Sequence, residues 1–174
     1  MTKARRNFIK KTALASTGIA LGAQSLEAIS SLRKSVSPNE KINVGVIGCN
    51  GMGWSNMRSM LKNDVISCAV LCDVDENVLK VRCENVKEIQ GSKPKTYKDF
   101  RKLLENKDID AVIIGTPDHW HCLPMINALQ AGKHVYVEKP ISNTIEECNL
   151  MVEAAKKYGK IVQVGQWQRS GLHY

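Results

Sequence analysis

From Ile42 onward, short apolar runs alternate with stretches in which apolar residues recur every three or four positions. The runs lie near 42–48, 65–72, 95–97, 110–115, 134–138 and 161–165. Ile42-Asn43-Val44-Gly45-Val46-Ile47 and Ala111-Val112-Ile113-Ile114 are nearly unbroken, as a parallel strand covered on both faces requires. Helical spacing fills the gaps at 52–62, 76–89, 98–105, 121–131 and 144–158, with Leu123, Ile126 and Leu129 expected in one apolar row. Thr144-Ile145-Glu146-Glu147 is a capping-box start for the last helix, and Gly159 is its stop. Strand and helix in strict alternation predict an α/β fold, a doubly wound parallel sheet of the Rossmann type.

The joint after the first run is Gly48-Cys49-Asn50-Gly51-Met52-Gly53. A chain leaving a buried strand must turn sharply there to point the next helix's N-terminus at a ligand, and glycine permits both the turn and the ligand's close approach. Unpaired N–H groups at Gly51 to Trp54, with the positive end of the helix dipole, would seat a pyrophosphate. The second run ends in Asp73, about twenty residues past the turn, where a carboxylate would accept from the ribose hydroxyls of a dinucleotide. That carboxylate repels a 2′-phosphate and no arginine follows in Asp73-Val74-Asp75, so NAD is expected in preference to NADP. Asn50 stands where the fingerprint usually has its second glycine. Asparagine tolerates positive φ better than most residues, and Gly51 beside it is placed to take over the close approach.

The formal charge of +8 suggests a nucleic-acid partner until it is divided along the chain. Residues 1–41 carry eight Lys or Arg against two Glu, and the remainder carries 17 against 15. A nearly neutral folded part has no basic stripe for a phosphate backbone, so no nucleic acid is expected. The N-terminal excess reads as an address. Arg5-Arg6-Asn7-Phe8-Ile9-Lys10 precedes an apolar stretch, Thr12 to Ala23, too short and too rich in Gly, Ser and Thr for a comfortable membrane span. It resembles a twin-arginine export signal, which implies the export machinery as a partner and a periplasmic or exported bacterial protein. Retention of the uncleaved signal as a membrane anchor is the alternative. The polar connector Ser35-Val36-Ser37-Pro38-Asn39-Glu40 divides this export segment and linker, 1–41, from a nucleotide-binding domain at 42–170. The six cysteines form no C-x-x-C pair, and Cys68 and Cys72, four steps apart on one strand, stand roughly 13 Å apart, too far for a disulfide. They read as buried structural thiols.

Ligands of an open α/β sheet sit at the carboxyl ends of its strands. Three ends carry chemistry: Gly115-Thr116-Pro117-Asp118-His119-Trp120-His121, Glu138-Lys139-Pro140, and Gly165-Gln166-Trp167-Gln168-Arg169. With the glycine turn and Asp73 ahead of them, these motifs resemble, in order, the nucleotide-binding half of the Gfo/Idh/MocA oxidoreductases, from about Ile42 to Arg169.

The resemblance implies roles. Lys139 is the expected catalytic residue, hydrogen-bonding the substrate hydroxyl under oxidation and assisting its proton transfer, with Glu138 and Pro140 fixing its position. His121 is a second catalytic candidate and lies near the cofactor. Gly48, Asn50, Gly51, Met52, Gly53, Asp73, Thr116, Pro117, Glu138 and Gln166 complete the cofactor set, with Arg169 helping Gln166 to frame nicotinamide and substrate and His119 or Trp120 toward the substrate. His119-x-His121 has the spacing of a metal pair, but no third ligand has a recognisable spacing, so no metal is expected. In the family a substrate domain follows the nucleotide domain. Residues 171–174 read as the start of that missing domain, through which a homo-oligomer would form. The expected activity is hydride transfer from a hydroxyl of a sugar or polyol to NAD. The alternatives are an NAD-dependent glycoside hydrolase of the same family and a non-catalytic nucleotide-binding fragment.

Overall fold

The computed structural model describes residues 41–170. The export segment, apart from Lys41, and the expected domain start at 171–174 lie outside the described residues. Six strands form one sheet: β1 (Ile42–Ile47), β2 (Ile66–Cys72), β3 (Lys95–Tyr97), β4 (Ala111–Ile114), β5 (His134–Val137) and β6 (Val162–Val164). Their order is β3-β2-β1-β4-β5-β6 and every pairing is parallel. The chain therefore winds outward from β1 twice, in opposite directions, and leaves a crevice at the carboxyl ends of β1 and β4.

Five helices cross between the strands: α1 (Gly51–Met60), α2 (Glu76–Gln90), α3 (Phe100–Leu104), α4 (Cys122–Gln130) and α5 (Ile145–Tyr158). Alternate strand residues feed two cores. Val44, Val46, Leu71 and Ile113 pack with Met57 of α1 and Leu79 and Val86 of α2. Ile47, Val70, Val112 and Val135 pack on the other face with Leu103, Met125, Leu129 and Met151 of α3, α4 and α5. Both faces are covered, which is why these strands are apolar at successive positions.

Local signals set the helix ends. Asp75 caps α2 by accepting from Asn77 N–H, and Asp99 caps α3 by accepting from Arg101 N–H. Thr144 Oγ1 accepts from Glu147 N–H at 3.1 Å, but the Glu147 carboxylate accepts from Asn143 N–H rather than Thr144 N–H, so the capping box closes one residue early. Gly91 and Gly159 end α2 and α5 in the left-handed conformation. One expectation is corrected. Leu123 is 48% exposed, and Met125, Ala128 and Leu129 form the buried face of α4 instead. A single helical turn at Asp118–Trp120 precedes α4, so that helix starts one residue later than the spacing suggested.

Candidate cofactor-binding and active site

The glycine turn is built by backbone against backbone. Gly48 has φ +83, and a Cβ there would lie 2.7 Å from Thr116 N. A Cβ on Gly53 would lie 1.9 Å from Gly48 O, and one on Gly115 would lie 2.5 Å from Gly53 Cα. Gly48, Gly53 and Gly115 thus let the start of α1 and the end of β4 close on the β1 turn. Gly51 is different: at φ +46 an added Cβ would meet nothing within 4 Å. It faces open space, as the ligand side of the turn should. Asn50 is extended at φ −100, so the positive φ falls on Gly51 and the asparagine's tolerance of that region goes unused.

The first i→i−4 bond of α1 runs from Trp54 N–H to Asn50 O at 3.4 Å. The N–H groups of Gly51, Met52 and Gly53 precede it and have no partner in the helix ladder. Nor does Asn50, at the N-cap, turn its side chain onto them. Three donors at the positive end of a helix fit a pyrophosphate.

Asp73 stands at the end of β2. Its carboxylate accepts from Cys49 N–H at 2.8 Å and from Asp75 N–H at 3.0 Å. The same group therefore ties the glycine turn to β2, and its remaining lone pairs are available for a diol. A cleft of about 630 Å³ opens there and brings together Gly48, Asn50, Asp73, Thr116 and Pro117. Its outer wall is formed by Val74, Lys98, Phe100, Arg101 and Trp120, of which sequence reasoning named only Trp120, as a residue toward the substrate. Phe100 and Trp120 meet at 6.5 Å between ring centroids, an apolar surface suited to a base. Lys98 and Arg101 are paired with Glu76 and Asp99. Of the other wall residues only Phe100 could have been suspected, as an aromatic residue near a strand end.

The second part of the site lies at β5. Glu138 is 3% exposed, and its carboxylate accepts from Asn56 Nδ2 at 2.7 Å, Tyr136 Oη at 3.3 Å and Lys139 N–H at 3.1 Å. Burial, and then the Glu138 charge, raise the Tyr136 hydroxyl above its usual value, so it stays a donor. Gly165 passes so close that a Cβ there would lie 2.9 Å from Glu138 Oε1. Lys139 itself is exposed and joins Pro140 through a cis peptide. Gln166 is exposed just past β6, and its N–H donates to Val164 O at 2.8 Å. Gly51, Met52, Gly53, His121, Glu138, Lys139 and Gln166 are outside the wall of the cleft at Asp73.

His121 departs from its expected place. The ring is 1% exposed, with Nδ1 2.7 Å from Pro140 O and Nε2 2.8 Å from Thr116 O. Both nitrogens are committed to backbone carbonyls, so the imidazole joins the β4 and β5 loops and presents neither nitrogen to a substrate. His119 is exposed beside Asp118, at 3.7 Å, so the two imidazoles have different partners. The three buried thiols around the β1 and β2 strands are quiet. Burial and the neighbouring Asp73 charge drive Cys49 well above its usual value, and burial pushes Cys68 and Cys72 up to about 12.

A glycine turn on a helix N-terminus, a carboxylate closing the next strand and a cleft at the switch point of a 3-2-1-4-5-6 sheet define a dinucleotide-binding Rossmann domain. Residues 42–166 match the model of the Gfo/Idh/MocA oxidoreductase family, NAD-binding Rossmann fold, and the chain belongs to that family. It is 30% identical over 175 aligned positions to a glycosyl hydrolase family 109 protein of Shewanella baltica, covering 90% of this chain and 38% of the relative. It is 29% identical, with the same coverage, to an alpha-N-acetylgalactosaminidase of Shewanella oneidensis. Among solved structures, WlbA dehydrogenase of Chromobacterium violaceum, with NADH and UDP-GlcNAcA, superposes with a TM-score of 0.65 at 29% identity over 74% of this chain and 36% of that one. Scyllo-inositol dehydrogenase of Lactobacillus casei, with NAD(H) and scyllo-inositol, gives 0.67 at 26% identity over 76% of this chain and 38% of that one. NAD is thus the cofactor of this fold, and the chain spans 38% of the length of these curated relatives.

Proposed function

We propose that this chain is the cofactor-binding part of an enzyme that oxidises a hydroxyl of a sugar or polyol, with Lys139 as its catalytic residue. The observation that carries the reading is an exposed lysine whose backbone is fixed from both sides. Buried Glu138 accepts from the Lys139 N–H, and buried His121 holds the Pro140 carbonyl that follows. A side chain so placed at the carboxyl end of β5 keeps a mobile ammonium on a fixed base, suited to hydrogen-bonding a hydroxyl and assisting the departure of its proton. Bound NAD supplies the hydride acceptor. Gly51, Met52 and Gly53 hold the pyrophosphate on their N–H groups, Asp73 the adenosine ribose, and Thr116 and Pro117 the floor of the cleft. Gln166 and Arg169 frame the nicotinamide end. His121 acts through Thr116 and Pro140 as a positioning residue.

A second reading has its own support in the curated relatives named as glycosyl hydrolases. In that reading the same oxidation would be transient: the glycoside would lose its leaving group by elimination, water would add in its place, and the hydride held by NAD would return. The test uses the protein with whatever its gene encodes beyond Tyr174. Sustained NADH formation from free polyols or sugars supports the dehydrogenase. Release of sugar from a glycoside with no net NADH overturns it in favour of the hydrolase.

A further inference from the structure

Asn50 is an N-cap residue that does not cap. Asparagine is among the best N-cap residues because its side-chain oxygen accepts from the second or third helical N–H. Here those donors belong to Met52 and Gly53, two of the three assigned to the pyrophosphate. A capping Asn50 would close the anion site with the protein's own oxygen.

Arg82 prevents this. It lies two turns into α2, and its Nη2 donates to Asn50 Oδ1 at 3.2 Å while its Nε donates to Cys49 O at 3.3 Å. Nη1 donates to Asn85 Oδ1 at 3.2 Å, and the guanidinium stands 5.0 Å from the centroid of the Trp54 ring. A guanidinium only donates, so Asn50 must present its oxygen to Arg82 and away from α1. All three acceptors are neutral, and no carboxylate pairs with Arg82 among the described residues.

We propose that Arg82 is a positioning residue for the cofactor, holding the Asn50 side chain off the helix N-terminus so that the Met52 and Gly53 N–H groups stay open for the pyrophosphate. Asparagine at the second fingerprint position is then workable only with Arg82 opposite it, a pair doing what glycine does alone. The inference rests on the assignment of NAD to this turn.

A four-variant cycle tests it by calorimetric titration of NAD into the protein with whatever its gene encodes beyond Tyr174: unaltered, Arg82→Met, Asn50→Gly and both together. Methionine keeps an aliphatic stem against Trp54 while removing the donors. Arg82→Met weakens NAD about five- to tenfold, the worth of one competing cap. The double variant matches Asn50→Gly, whatever Asn50→Gly alone does to NAD affinity, because with no side chain at position 50 there is nothing for Arg82 to hold aside. In the free protein, amide exchange at Met52 and Gly53 slows in Arg82→Met as Asn50 caps them. An Arg82→Met loss as large in the Asn50→Gly background as in the unaltered one means that Arg82 acts by its charge or through folding, and overturns the proposal. So does an Arg82→Met that binds normally. An unaltered chain that binds no NAD overturns the cofactor assignment itself, and the inference with it.

Discussion

The Gly48–Gly53 turn and the Glu138–Pro140 segment close two strands of one sheet, yet they are held by different kinds of contact. At β1 the work is done by backbone: three glycines interlock within distances that no Cβ fits, and the groups offered to a ligand are main-chain N–H. At β5 it is done by side chains. A buried carboxylate gathers Asn56 from α1 and Tyr136 from its own strand, and a buried imidazole spans two loops. The first arrangement serves a ligand that must be held in one register whatever happens next. The second leaves one flexible cation, Lys139, on rigid supports, which suits a group that changes its hydrogen bonds during a reaction.

The division predicts separable failures. Lys139→Ala should lower turnover by about 10²–10⁴-fold, the usual contribution of a general acid or base, while NAD affinity in the same preparation stays within about twofold. Unchanged turnover would remove Lys139 from the chemistry. Gly53→Ala should fail at the other end and in another way. Its Cβ meets the Gly48 carbonyl at 1.9 Å, backbone that cannot swing aside, so α1 must shift at a cost of about 3 kcal/mol or more, and NAD binding should go with it. Gly51→Ala is the control. It meets nothing and carries only the strain of positive φ, about 1–2 kcal/mol. Thermal melts and NAD titrations of both variants check the contrast; a Gly53→Ala protein as stable as Gly51→Ala would break it.

What could be read in advance follows the same line. The glycine turn and the place of Asp73 at the end of β2 were legible because both are set by local backbone geometry and a fixed spacing to the next strand end. Strands and helices were legible for the same reason, with ends displaced by a residue or two. Helix α4 shows where periodicity stops deciding: Leu123-Ile126-Leu129 and Met125-Ala128-Leu129 are both apolar rows, and only packing under α5 chooses between them. The β5 region was legible only by resemblance. Nothing near Glu138 in sequence says that its carboxylate is buried by Asn56, 82 residues earlier. Nor could His121 be told from a substrate-facing residue, because the two groups its ring nitrogens meet are main-chain carbonyls with no signature. Arg82 was missed because it acts across two elements on a residue that breaks the fingerprint.

Asp73 tests the boundary of the comparison, since it belongs to both kinds of contact. Its carboxylate fastens the turn through Cys49 N–H and is also assigned to the ribose. Asp73→Ala should therefore weaken NAD and NADP together through the loosened turn, and NAD further through the lost acceptor. The ratio of the two affinities cancels the first effect and isolates the second. One charge-assisted hydrogen bond, together with relief of repulsion against a 2′-phosphate, should move that ratio toward NADP by about tenfold or more. Lys98 and Arg101, in the same cleft wall, are paired with Glu76 and Asp99 and do not substitute for a phosphate-binding arginine without breaking those pairs. If both affinities fall and their ratio holds, Asp73 is a fastening of the glycine turn alone, and the preference for NAD must arise elsewhere in the cleft.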